Sequence, residues 1–204
     1  AVANRLGVAC GAHPGYPDRA GFGRTSIAMT LGEIAACVAG QIEVLEHVAT
    51  GLGVRLAHVK PHGALYNDAA RDPAIAAAIA RGAAPWRGRV WLVGLAGSPC
   101  LEIYGTAGFE VLAEAFAERR YEADGTLRAR RFPDAVIHDP EEAAAQAVRV
   151  ACRSEVVTVD GRVMPVRART VCIHSDSPAA LAVATAVRGA LRAAGVAVTA
   201  PVRP

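Results

Sequence analysis

Residues 89–95 read Arg-Val-Trp-Leu-Val-Gly-Leu, a nearly unbroken apolar run. A strand with one wet face alternates polar and apolar side chains, whereas a strand covered on both faces does not. This run therefore predicts a central strand of a parallel sheet. Parallel strands need long crossovers, usually helices, so helices are expected on either side of it in the chain.

The chain supplies them. Thr30-Leu31-Gly32-Glu33 is a capping box, opening a predicted helix to Ala49 with Ile34, Cys37, Val38, Ile42, Leu45 and Val48 as its apolar stripe. Gly51-Leu52-Gly53 ends that helix; with helix before and strand after, it is not a dinucleotide loop. Asp72-Pro73 caps a predicted helix over Ala74–Arg81, Ser98–Ala107 follows the central strand, Asp139-Pro140 opens a helix to Cys152, and Ser177–Ala194 closes the chain before Gly195. Strands are expected at Val8–Ala12, Val54–Val59, Glu110–Ala115, Ala135–Ile137 and Arg169–Ile173, with a hairpin of Glu155–Val159 and Arg162–Val166 about Asp160-Gly161. The alternation shows no composition break or linker, which predicts one α/β domain over residues 1–204.

The polar residues gather where strands end. His58-Val59-Lys60-Pro61-His62-Gly63-Ala64-Leu65-Tyr66-Asn67 packs two His, a Lys, a Tyr and an Asn about a strand-ending Pro and a flexible Gly, and is expected to leave the strand as a loop. His13 follows the first strand, in a loop of two prolines and four glycines that leads to Arg24, a side chain suited to a carboxylate or phosphate. Glu114 is expected at the end of its strand beside Arg119 and Arg120, and His174 and Asp176 follow the last strand. Convergence of residues from separate strand ends is the pattern of a barrel.

Composition excludes other classes. Net charge is +3 with no basic stripe carrying interleaved aromatics, so no nucleic acid is expected. No apolar run nears the roughly 18 residues of a membrane helix, and no signal peptide is visible. The five cysteines are odd in number and widely spaced, and most lie in apolar surroundings, Cys172 in a core strand. This predicts buried free thiols in a reducing, cytoplasmic setting. The opening Ala1-Val2-Ala3-Asn4-Arg5-Leu6-Gly7 lacks a Met and reads as a helix tail with Gly7 as cap, so an earlier part of the protein is expected.

Five blocks in order resemble the LamB/YcsF family. Gly11–Asp18 with Phe22-Gly23-Arg24 is similar to its GAHPxxPD…FGR block, and His58–Asn67 to HVKPHGxLYN. Leu92–Ser98 matches a further block, Glu114–Leu127 resembles EvFADRxYxxDGxL, and Thr170–Asp176 resembles TVCxHGD. Ser175 stands for the usual Gly and Glu118 for the usual Asp, while the acidic opening DLNxDxGE strand and the ACGFHAGD strand have no counterpart. The resemblance implies a TIM-like (β/α)7 barrel of the glycoside hydrolase/deacetylase type, here expected to lack its N-terminal strands. It also implies the A subunit of an ATP-hydrolysing 5-oxoprolinase, which works with partner subunits B and C to open 5-oxo-L-proline to L-glutamate.

A five-membered lactam is a stable amide, so ATP with Mg²⁺ is expected to drive its opening by activating the amide oxygen. Lys60 is expected as electrostatic clamp, His62 or His13 as base or acid, and Glu114 and Asp176 to orient a histidine or hold Mg²⁺. Arg24 or Arg119 would receive the substrate carboxylate, with Tyr66, Asn67 and His174 lining the substrate. No P-loop is present, so the ATP expectation rests on resemblance. Two alternatives are a metal-dependent, deacetylase-like amidohydrolase with His13, His62 and a carboxylate from the expected missing N-terminal segment as its ligands, and a non-catalytic binding subunit of the complex.

Overall fold

The computed structural model describes residues 2–200, and the chain divides into two compact units that are taken in turn: residues 2–112 with residue 200, and residues 113–199. Ala1, part of the expected helix tail, lies outside the described residues. The remainder of that tail is a short helix α1 (Val2–Arg5), and Gly7 follows at φ +65°.

In the first unit, β1 (Cys10–Ala12), β2 (Leu56–Val59) and β3 (Trp91–Leu95) pair in parallel in that order. All five residues of β3 are buried, as the unbroken apolar run requires. The crossover from β1 to β2 is α2 (Leu31–Gly51), opened by the expected capping box: the Thr30 hydroxyl accepts from Glu33 N–H, and the Glu33 carboxylate accepts from Thr30 N–H. Ile34, Val38 and Ile42 bury its inner face against Ile79, Ala83 and Leu92. The β2–β3 crossover holds two helices, α3 (Gly63–Ala69) and α4 (Pro73–Ala83), where the sequence predicted a loop and one helix. Helix α3 arises because Ala64-Leu65-Tyr66 can bury one flank, and it begins at once after His62. Asp72 accepts from Ala74 N–H and Pro73 occupies the first turn of α4. Helix α5 (Cys100–Thr106) is shorter than predicted because Ser98 turns back on Leu95 C=O, through its N–H and its hydroxyl.

In the second unit, β4 (Val111–Phe116, whose first residues belong to the first unit) pairs in parallel with β7 (Thr170–Cys172), setting Glu114 opposite Thr170 and Phe116 opposite Cys172. Helix α6 (Pro140–Arg153) packs on α7 (Ala180–Ala193) through Ala143, Ala147, Val183 and Val187. Strands β5 (Glu155–Val157) and β6 (Val163–Pro165) form the predicted antiparallel hairpin, with Gly161 at φ +81°. Three expectations fail here. Ala135–Ile137 is no strand; it carries an isolated bridge between Val136 and Arg119, with Ile137 N–H on Glu118 C=O. Strand β7 is half-buried rather than buried, and Cys172 with it. All five cysteines are free, yet only Cys100 is buried and Cys152 is exposed.

Candidate functional site

In the first unit the β1–β2 register decides what meets at the strand ends. Gly11 lies beside His58 and Ala12 beside Val59, and Lys60 N–H continues the ladder to Ala12 C=O at 2.9 Å. The same offset sets His13 beside Lys60, whose carbonyl accepts from His13 Nδ1 at 2.7 Å. His62 N–H bonds Pro14 C=O at 2.8 Å, and its ring reaches both His13 Nε2 through Nδ1 (3.0 Å) and Phe22 C=O through Nε2 (2.7 Å). The sequence-predicted His13, Lys60 and His62 therefore stand together.

The hydrogen bonds fix the ring protons of this pair. Carbonyl oxygens only accept, so His13 Nδ1 and His62 Nε2 both donate. The remaining nitrogens, His62 Nδ1 and His13 Nε2, face each other at 3.0 Å. Turning either ring over would replace two nitrogens by carbons and forfeit both of its bonds. All four ring nitrogens are thus engaged.

The loop carrying His13 is held in several places. The Gln41 side-chain amide on α2 accepts from Gly15 N–H (3.1 Å) and donates to Gly15 C=O (2.8 Å). Phe22 sits at φ +56° with its ring largely exposed, a strained backbone for a bulky residue that aims its carbonyl at His62. The Arg24 guanidinium lies over the Phe22 ring at 5.2 Å. Lys60 Nζ lies 5.8 Å from the Tyr66 ring centre, and Asn67 Nδ2 donates back to Gly63 C=O. Gly15 and Phe22 stand in the sequence only as members of a motif, and Gln41 carries no signal there, because nothing local pairs α2 with the loop.

His58 is a different kind of residue. Its ring lies across Gly11, where a Cβ would meet it at 2.3 Å. Burial, with Lys60 adding to it, pushes the imidazole below its ordinary range. The folded state then resists a proton that the unfolded chain accepts near pH 6.5. His58 should leave stability untouched above about pH 6.5 and erode it as pH falls below that value. Urea unfolding of wild type and His58→Gln at pH 8 and pH 5.5 tests this: the wild type should lose more stability over that interval.

In the second unit Glu114 lies inside β4, buried, two residues before the strand's end. The carboxylate at the rim is Glu118 instead. Continuing the β4–β7 register by two residues puts Glu118 opposite His174, and Ala117 N–H on Cys172 C=O keeps that register. Glu118 Oε1 accepts from both His174 Nδ1 and His174 N–H. The Gln146 amide reaches the carbonyls of Phe116, Ala117 and Arg119, and Tyr121 Oη accepts from Phe116 N–H, so the backbone about Glu118 is pinned. Burial raises the Tyr121 hydroxyl well above the phenol range, keeping it protonated. Arg119 is buried, and its guanidinium donates to Ala135 C=O and Arg128 C=O. Burial, with Arg130 adding to it, pulls it down to about 10. Asp176 is exposed beyond His174.

Among the described residues no three His, Cys, Asp or Glu side chains assemble as a metal set. No described helix is long and apolar enough to cross a membrane.

Comparison with known proteins agrees with these motifs. The chain is 50% identical over 196 residues to the A subunit of a 5-oxoprolinase from Chloroflexus aggregans, covering 96% of this chain and 78% of the relative. It is 52% identical over 198 residues to the corresponding subunit from Chloroflexus aurantiacus, covering 97% and 78%. A solved lactam utilization protein from Thermus thermophilus superposes with a TM-score of 0.89 at 46% identity, covering 98% of this chain and 79% of that one. Residues 1–203 match the LamB/YcsF family model, and the chain belongs to the LamB/YcsF family.

Proposed function

We propose that this chain is the A subunit of an ATP-hydrolysing 5-oxoprolinase, a cytoplasmic hydrolase that opens the lactam of 5-oxo-L-proline to L-glutamate together with subunits B and C, on a (β/α) barrel. The observation that carries the reading is the identity of 50% and 52% to proteins of that name over nearly the whole chain. The cluster of His13, Lys60 and His62 at adjoining strand ends supports it, as a place for a small anionic substrate.

Within that reading the Lys60 ammonium stabilises negative charge growing on the lactam oxygen, and exposed Arg24 receives the carboxylate. ATP supplies the driving force. The chain has no phosphate-binding glycine loop after a strand, and no metal set assembles among the described residues, so no step here is assigned to a nucleotide or metal on this chain.

The test is 5-oxoproline-dependent ATP hydrolysis and glutamate release by the chain purified with its B and C partners. Turnover by all three together is the expected result. None in the reconstituted complex rejects the reading.

A further inference from the structure

The first unit turns sharply at Gly21-Phe22-Gly23-Arg24. Arg24 N–H closes the turn on Gly21 C=O at 3.1 Å, and both central residues lie at positive φ, Phe22 at +56° and Gly23 at +65°. That is the type I′ arrangement, which glycine, asparagine and aspartate adopt readily and a bulky side chain does not. The turn is held in this form. Gly23 N–H donates to Asp18 C=O at 2.7 Å, Gly23 C=O accepts from Ala64 N–H at 2.9 Å, and Phe22 C=O accepts from His62 Nε2. Phenylalanine here therefore destabilises through its backbone, and its ring recovers little by burial, being 61% exposed. The ring instead faces two side chains at the rim. It meets the His62 ring edge-on, with centres 5.2 Å apart and planes at 89°, and the Arg24 guanidinium lies over it at 5.2 Å. The hydrogen bonds of the turn use backbone atoms of residues 21–24, which asparagine at position 22 would supply equally. A residue kept against its backbone preference, with its side chain in solvent beside a site, is the pattern of strain retained for function.

We propose that Phe22 is a positioning residue for Arg24: its ring is the platform that holds the guanidinium ready for the carboxylate of a small anionic substrate. This rests on the 5-oxoprolinase reading and deepens it, because that reading gives the carboxylate to Arg24. An exposed arginine has many rotamers, and freezing them on binding weakens affinity. Stacking on an aromatic face consumes none of the five guanidinium N–H donors, so it restricts the side chain without competing with a carboxylate. The same ring packs on His62, so the residue that orients Arg24 also ties it to the cluster of His13, Lys60 and His62.

The test uses the full chain, melted alone and assayed in the complex with B and C. Asn-Gly suits a type I′ turn, so Phe22→Asn should melt about 2–4 °C above wild type. Its KM for 5-oxoproline should nevertheless rise about three- to tenfold, with kcat within about twofold, as expected when a group that only binds is lost. Phe22→Tyr keeps the ring and should restore the wild-type KM. In an Arg24→Gln background, adding Phe22→Asn should raise KM no further, because the two residues act as one. A Phe22→Asn melting temperature at or below wild type shows the ring serving the fold and overturns the proposal. An unchanged KM in Phe22→Asn overturns it as well, and the same rise in the Arg24→Gln background overturns the route through Arg24. A wild-type complex with no 5-oxoproline turnover removes the parent reading and this role with it, whereas the melting arm still decides the strain at Phe22.

Discussion

Gly63→Ala is expected to cost roughly 2–3 kcal/mol of stability, the magnitude of a left-handed backbone forced on a side chain together with a close backbone contact. Gly63 sits at φ +57°, and a Cβ there would lie 2.4 Å from Gly23 C=O. That carbonyl is not free to retreat, because it accepts from Ala64 N–H at 2.9 Å. Gly63 is where the chain leaves β2, passes His62 and enters α3, so strain at this point moves the rim histidines as well as the helix. For a chain of this size the melting temperature should fall by about 5–10 °C. Differential scanning calorimetry of the variant checks it, and a melting temperature within about 1 °C of wild type would sink the argument. Gly53→Ala is the control: it has a similar positive φ of +68° but nothing within 4 Å of its Cβ position, and should lose less.

Lys60→Met should abolish most turnover without unfolding the protein. Methionine keeps an apolar stem against the Tyr66 ring, over which Lys60 Nζ now lies, and the backbone bonds to Ala12 and His13 are unchanged. What is lost is a compact positive charge at the strand end. Removing one such stabiliser of transition-state charge lowers kcat by about 10²–10³-fold. Steady-state kinetics in the reconstituted complex, beside a melting curve of the variant alone, separate charge from fold. A kcat within about threefold of wild type would exclude Lys60 from the chemistry. Loss of the charge should also release His58 from part of what holds its imidazole low, so the fall in stability below about pH 6.5 should become shallower in this variant.

Much of the local structure was legible in the chain. The capping box of α2, the Asp72-Pro73 start of α4, the Asp160-Gly161 hairpin and the all-buried β3 all follow from chemistry within a few residues of each element. Where sequence reasoning failed, a distant partner was the cause. Ala135–Ile137 has strand composition, but its backbone is claimed by Glu118 and Arg120 rather than by a neighbouring strand. Most cysteines sit in apolar sequence, yet which of them are buried depends on which face packs. Arg119 reads as a substrate arginine until its guanidinium is found on two backbone carbonyls.

The sequence by itself determined the family, the parallel α/β character and the fact that His13, Lys60, His62 and His174 follow strands, because periodicity, caps and turn residues act over short separations. Only the tertiary structure decided that His62 meets His13 with every ring nitrogen engaged, and that Glu118 rather than Glu114 stands against His174. The reason is register. Strand pairing sets which residues 47 or 56 positions apart become neighbours, and no local pattern encodes that offset, since shifting a pairing by one residue turns each side chain to the opposite face.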